Sequence, residues 1–412
     1  MPGESFRFIH ASDFRLETPL GDLDELPPSL AAAIASAPHD AAARVFEAAE
    51  AENIDFLVLS GDLLSPVAAG PRGIGVLLAG FERLHAADTP VFWATGRTDD
   101  PTQWPDAVPL PPNVFQFSKT ESQTMPVTRA GAMLCNVLGR SNDSKVLNAS
   151  AYRGEVDDVY TVAVGYGSAE AGSLSNTSVD YWALGGRPDR RVVRDADDTA
   201  EAQNYGAAVY AGSPQSRTLG DVGPHGYTVV DVDADSVTRL QFIETDAFRY
   251  CRERVDASEM SKAGGIESAL SARIGRLMAA AGGRHLIVHF DIAPASGDAT
   301  GIGSVDALVD QLRSEHGHST PCVWTASANV HAPGQFPQAW KDEDTILGDF
   351  LRAVASRRES GDLMDFRGIG EEHDLDPSIL GPLTESVGDP AETLDAATLL
   401  GVDLLRGGKL IA

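Results

Sequence analysis

FRFIHASDFRL, residues 6–16, decides the fold: an apolar strand, Phe6–Ala11, runs directly into a polar end carrying Asp13 and Arg15. Two later segments have the same form. FLVLS (Phe56–Ser60) is a continuous apolar run, as a strand buried on both faces requires, and it ends in Gly61-Asp62-Leu63. PVFWAT (Pro90–Thr95) ends in Gly96-Arg97-Thr98-Asp99. Between these strands, His39–Asn53 reads as an alanine-rich helix with Val45 and Phe46 on its apolar side. Arg72–Ala87 places Ile74, Leu77, Leu78, Phe81 and Leu84 at helical spacing. This βαβαβ order predicts parallel pairing with right-handed crossovers. In such sheets ligands gather at the carboxyl ends of the strands, where the three polar turns lie.

Outward from this unit, Pro105–Asn113 is too rich in proline for a helix or a central strand and reads as a surface loop. Strands then dominate: Ala132–Val137, Tyr160–Val164, Tyr181–Leu184, Val209–Ala211, Tyr227–Val232 and Val237–Ile243. The polar stretch between Leu184 and Val209 reads as an exposed loop. Composition shifts near Thr245. Beyond it, a helix (Gly265–Ala281), the strand HLIVHFDIA (His285–Ala293), a helix (Ser304–His316) and the strand CVWTAS (Cys322–Ser327) form a small α/β unit. Asp342–Arg358 is an amphipathic helix, and the tail from Asp376 reads as mixed helix and loop. The expected domains are therefore 1–245, 246–340 and a helical region, 341–412.

Acidic residues outnumber basic ones by 60 to 32, giving a net charge of −28, the opposite of the balance that tight binding to long DNA requires. Cys135, Cys251 and Cys322 are odd in number and form no CxxC pair, which argues against a disulfide framework or a structural zinc. The N-terminus lacks a basic, apolar leader, and no apolar run approaches the ~20 residues that span a bilayer. A cytoplasmic chain that makes no membrane contact is expected.

Asp13 and Asp62, at the ends of neighbouring strands, could share one Mg²⁺ or Mn²⁺, because hard carboxylate oxygens suit such cations. Each alone could equally cap a turn or a helix. The ten histidines add little: His285 and His289 share one face of a strand without an HExxH pattern and read as structural or exposed, and His316 and His318 lie in a turn. GxxxxGK[ST] and GxSxG motifs are absent.

Taken as an ordered series, the segments FIHASDFRL, LSGDLL, TGRTDD, YTVAVGYGS, DYWALGGRP and YAGSPQSR followed by GYTVVDV resemble the calcineurin-like metallophosphoesterase superfamily. Within it they resemble the SbcD- and YhaO-like DNA-repair exonucleases, over about residues 5–245. The resemblance implies an α/β/β/α sandwich of two mixed sheets with a smaller C-terminal α/β domain. It also implies metal-dependent hydrolase and nuclease chemistry on Mn or Mg, and a coiled-coil ATPase partner resembling SbcC or YhaN. The family's motifs read D-x-H, G-D, G-N-H-D, a lone His and G-H-x-H. Here Arg15 stands for the first histidine, Arg97 for the asparagine, Thr98 for the catalytic histidine, about Tyr166 for the lone histidine, and Gly186 and Pro188 for the last pair. Of the metal ligands only Asp13 and Asp62 remain, while Asp99 is expected to be structural. Arginine has no lone pair to offer a cation. The expected reading is a degenerate phosphoesterase, a pseudoenzyme without cofactor or catalytic residue, serving as a scaffold or partner-binding module. Two alternatives stand beside it: an active exonuclease or phosphoesterase with an altered site on Asp13 and Asp62, and an anion or nucleotide binder using arginines such as Arg15, Arg97 and Arg187. A guanidinium from Arg15 or Arg97 is expected to fill the volume the metals would take.

Overall fold

In the computed structural model the described residues are 4–24, 26–142, 144–152, 159–174, 178–194, 206–256, 260, 262–263, 265–293, 304–330, 338–342 and 344–360, with 394, 397–398, 401–402 and 405. Most of the tail from Asp376 lies outside them. The chain divides into two compact units, Met1–Cys251 with Arg284–Leu286, and Arg252–Gly283 with Ile287–Ala412.

The first unit holds two six-stranded mixed sheets. One has the order β12 (Thr238–Glu244), β11 (Gly226–Val232), β1 (Phe6–Ala11), β2 (Phe56–Leu59), β3 (Val91–Trp93), β4 (Val114–Gln116). Strands β1 to β4 pair in parallel, and β11 and β12 close the other edge antiparallel. The other sheet has the order β5 (Gln123–Arg129), β6 (Ala132–Gly139), β7 (Thr161–Tyr166), β8 (Tyr181–Gly185), β10 (Ala207–Tyr210), β9 (Arg191–Arg194). Its inner strands are parallel and its two edge pairs antiparallel.

The sheets face each other across one apolar core. Phe8, Phe56, Phe92 and Val230 come from the first, and Val137, Val162, Tyr181 and Val209 from the second. Helices α1 (Pro28–Ala51) and α2 (Gly70–Ala86) cover the outer face of the first sheet. They do so because Ala42, Val45, Phe46 and Ala49 recur at helical spacing and all bury. The helices approach closely at Gly80, where a Cβ would lie 2.4 Å from the Phe46 ring. The outer face of the second sheet buries Leu138, Leu147, Tyr152, Leu174 and Trp182 beneath loops and the short 3₁₀ turns Ala149–Ala151 and Ala171–Ser173.

Three features differ from expectation. Helix α1 starts eleven residues early and runs through Pro38, because one missing N–H is outweighed by the alanine-rich apolar face on both sides. The stretch read as an exposed loop after Leu184 contains β9, an edge strand whose Val192 pairs with Val209. Strands β4, β5 and β13 (Phe248–Asp256) were not expected, since β4 is very short and more than half the residues of β5 and β13 are polar or charged.

Further along the chain, α3 (Ile266–Ala280), β14 (His285–Ala293), α4 (Val305–His316) and β15 (Val323–Val330) alternate, and β14 is the middle strand of a sheet ordered β13-β14-β15. The short α5 (Gln338–Lys341) and α6 (Ile346–Ser360) follow. Among the described residues no helix is long and apolar enough to cross a membrane.

Candidate functional site

Beyond β1 and β2 the chain continues as two loops side by side. The N–H groups of Asp13, Arg15 and Leu16 donate to the carbonyls of Gly61, Asp62 and Leu63 at 2.9, 3.0 and 3.1 Å. This ladder places Asp13 beside Asp62, both with fully buried side chains. Its geometry puts Asp13 (φ 54°), Arg15 (φ 45°) and Asp62 (φ 53°) in the left-handed region, which costs most at Arg15. Buried Arg217 holds that turn by donating to the carbonyl of Phe14 as well as to those of Gln215 and Ser216.

The turn after β3 supplies donors. Oδ1 of Asp62 accepts from the N–H groups of Arg97 (2.8 Å) and Thr98 (2.9 Å) and from the Thr98 hydroxyl (3.1 Å). Asp99 is the hub beneath. It accepts from the N–H groups of Asp62, Leu63 and Gly96 and from the Trp93 indole. Burial, with Asp62 nearby, pushes Asp99 up to about 6, and these donors work against that rise.

From the second sheet, the hydroxyl of Tyr166 at the end of β7 donates to Oδ2 of Asp62 at 2.8 Å. Burial, and then the Asp62 charge, raises the phenol above its ordinary range, so it stays a protonated donor. A Cβ on Gly61, Gly96 or Gly186 would come within 2.7, 2.6 or 3.0 Å of its ring. The N–H of Gly186, after β8, donates to Oδ2 of Asp13 at 2.9 Å.

The two carboxylates are bridged by the Arg15 guanidinium, 3.6 Å from Oδ1 of Asp13 and 3.7 Å from Oδ2 of Asp62. These are ion-pair distances, beyond hydrogen-bond length. Oδ1 of Asp13 has no hydrogen-bond partner. Burial, and then the charge of Asp62, pushes the Asp13 carboxyl up to about 7, with Arg15 and the Gly186 N–H acting against the rise.

Of the residues singled out from sequence, Asp13, Asp62, Arg15 and Thr98 therefore meet at one point. Of the two arginines expected there, Arg15 brings its guanidinium to the carboxylates, while Arg97 contributes its backbone N–H and its side chain is exposed. Arg187 pairs with Asp189 at 3.4 Å and lies over the Tyr210 ring at 5.6 Å. The role of Tyr166 as a donor was missed. The glycines at 61, 96 and 186 were the available signal, since three strand ends without side chains leave room for one large ring.

The donor set does not fit a dinuclear metal centre. Asp62 has both oxygens engaged, Asp13 has one free, a cation sits between them, and no imidazole stands at 15, 98, 166, 186 or 188. Among the described residues no group of three or more His, Cys, Asp or Glu is placed to hold a metal ion.

Two measurable consequences arise here. Tyr166→Phe should destabilise the protein by about 1–3 kcal/mol in urea denaturation, because it leaves a buried carboxylate oxygen without its donor. Stability should also fall as pH rises from about 4 to about 7. The folded Asp13 holds its proton up to about 7, whereas an unfolded aspartate releases it near ~3.9, so the native state binds more protons across this window. Asp13→Asn should flatten that slope in a denaturation series.

The chain matches no family model. It is 26% identical over 273 residues to the uncharacterized metallophosphoesterase YhaO of Bacillus subtilis strain 168, a match covering 61% of this chain and 63% of that protein's length. Among solved structures it aligns with TT1561 of Thermus thermophilus (12% identity, TM-score 0.32) and with a dimetal phosphatase from Danio rerio (10% identity, TM-score 0.33). Each alignment covers 58% of this chain and 99% of the other, and both scores are too low to inform the function.

Proposed function

We propose that this chain is a metallophosphoesterase relative whose strand-end centre is closed by its own side chains, and that it holds a partner instead of cleaving phosphoesters. The similarity to YhaO supports the superfamily. The observation that carries the rest is the pairing of Asp62 with Arg15 and Tyr166, residues that stand where the family motifs have histidines. Two-metal hydrolysis needs cations ~3.5–4 Å apart to generate hydroxide and to clamp both oxygens of the displacement. A guanidinium neutralises a carboxylate and a phenol donates a hydrogen bond to one, and neither offers a cation a lone pair in the right place. The first partner to try is the coiled-coil ATPase that the SbcD-like resemblance implies.

One reading competes. The free Oδ1 of Asp13 favours a single loosely held cation and an altered phosphodiesterase or exonuclease. One experiment separates the two: incubate the protein with Mn²⁺, measure retained metal after desalting, and assay hydrolysis of bis(p-nitrophenyl) phosphate and of linear DNA. The proposal expects neither retained metal nor turnover above background. Mn²⁺-dependent turnover that disappears in the Asp13→Ala, Asp62→Ala double variant would overturn it.

A further inference from the structure

The second unit has a strand-end cluster of its own. On β14, His289 and Asp291 are two residues apart and so point to one face of the sheet. On the neighbouring strand β15, Ser327 and Asn329 have the same spacing. The four side chains meet. The Ser327 hydroxyl is 2.8 Å from Nδ1 of His289, Oδ1 of Asp291 is 3.3 Å from Nε2, and the Asn329 amide nitrogen is 3.4 Å from Nε2. The other face of β14 is apolar, with Leu286, Val288, Phe290 and Ile292 all buried. Asp291, Ser327 and Asn329 lie in the carboxyl-terminal halves of two adjacent strands joined through helix α4, the side on which α/β sheets bind ligands, and His289 stands at the midpoint of β14. The imidazole is buried and Ser327 half-buried, while Asn329 is exposed, so the cluster opens toward solvent at its Asn329 end.

We propose that Ser327, His289 and Asp291 form a nucleophile–base–orienting group able to hydrolyse a carboxylic ester. A serine within hydrogen-bond reach of an imidazole that is itself held by a third group is the arrangement that activates a hydroxyl. In the tautomer that places the proton on Nε2, directed at Asp291, Nδ1 keeps its lone pair and faces the Ser327 hydroxyl. The usual roles of the two ring nitrogens are exchanged, but the chemistry is the same. Ser327 Oγ bonds to the ester carbonyl carbon as its proton passes to Nδ1. The carbon–alkoxide bond then breaks, and the departing alcohol takes that proton. A water molecule attacks the acyl-serine and gives a proton to Nδ1. The acyl–Oγ bond breaks, Oγ recovers the proton, and the carboxylic acid leaves. Ser327 and His289 are the catalytic residues, and Asp291 is a positioning residue. None of them belongs to the Asp13–Asp62 cluster, so this proposal and the one above stand or fall separately.

The test uses the full chain and a fluorophosphonate probe, which transfers its phosphonyl group to an activated serine with loss of fluoride. Intact mass and peptide mapping should show one adduct, on Ser327, and p-nitrophenyl acetate should be hydrolysed with burst kinetics. Ser327→Ala, a small change on a partly open strand end, should keep the fold and abolish both signals. His289→Gln should slow labelling by at least about a hundredfold, the usual contribution of a positioned base. Asp291→Asn should shift the pH profile of labelling, which a purely structural role would not do. An unlabelled Ser327 in the folded wild-type protein, or labelling that persists at full rate in His289→Gln, would overturn the proposal.

Discussion

Arg15→Ala is expected to lower the unfolding free energy by about 2–3 kcal/mol at pH 8. Removing one partner of a buried ion pair typically costs roughly 3–5 kcal/mol. The loss should be smaller here because the guanidinium keeps 30% of its surface in water. What remains after the substitution is two fully buried carboxylates side by side with no compensating cation. Two internal checks sharpen the expectation. The loss should shrink below pH 7, where Asp13 is protonated, and it should shrink again in an Asp62→Asn background, where one charge is already gone. Arg97→Ala, by contrast, should stay within about ±0.5 kcal/mol, as at an ordinary surface position, because only the backbone of Arg97 touches Asp62. Urea denaturation of the four variants measures all of this. An Arg15→Ala effect no larger than that of Arg97→Ala would show the bridge between the carboxylates to be incidental.

Gly185→Ala should be more severe still, at about 4 kcal/mol or more, or should leave no soluble protein. A Cβ at this position would sit 1.7 Å from the carbonyl oxygen of Ser60. That atom is backbone, at the end of β2 in the opposite sheet, so it cannot swing away as a side-chain end could. Relief would require the ends of β8 and β2 to separate, and with them the contacts that hold Tyr166 against Asp62 and the Gly186 N–H against Asp13. Gly75→Ala is the control. It lies within α2, nothing comes within 4 Å of the point a Cβ would occupy, and the change should be neutral or stabilising by up to roughly 1 kcal/mol. Soluble yield and the thermal midpoint compare the two. Equal stability would mean that the sheets do not meet as closely at this seam as the geometry requires.

Much of the fold was legible because its central strands are buried on both faces. Phe56–Leu59 and Val91–Trp93 are apolar without interruption, and a run of that kind between two helices has few other readings. The edges were harder to read. Gln123–Arg129 alternates only weakly and Arg191–Arg194 carries arginine at both ends, since an edge strand satisfies half its backbone elsewhere and is free to be polar. At the site, Asp13 and Asp62 could be placed because strand ends in parallel sheets converge, which is a property of topology. Tyr166 and the backbone donors of Arg97 and Gly186 could not. Their roles depend on how the second sheet faces the first, and on N–H groups, which every residue but proline carries. The His289–Ser327 contact was hidden for a similar reason: 38 residues separate the partners, and each alone looks like an ordinary strand position.

The way Asp62 is held also bears on how this chain could change over time. One of its oxygens answers three donors and the other a phenol, so an arriving cation would have to displace them before gaining Asp62 as a ligand. A single histidine at position 15 or 166 would remove a cation or a donor without completing a coordination shell, leaving a carboxylate worse served than before. On the function proposed above, building a metal centre at this point would therefore need several replacements at once, because each single one leaves a buried carboxylate with fewer donors.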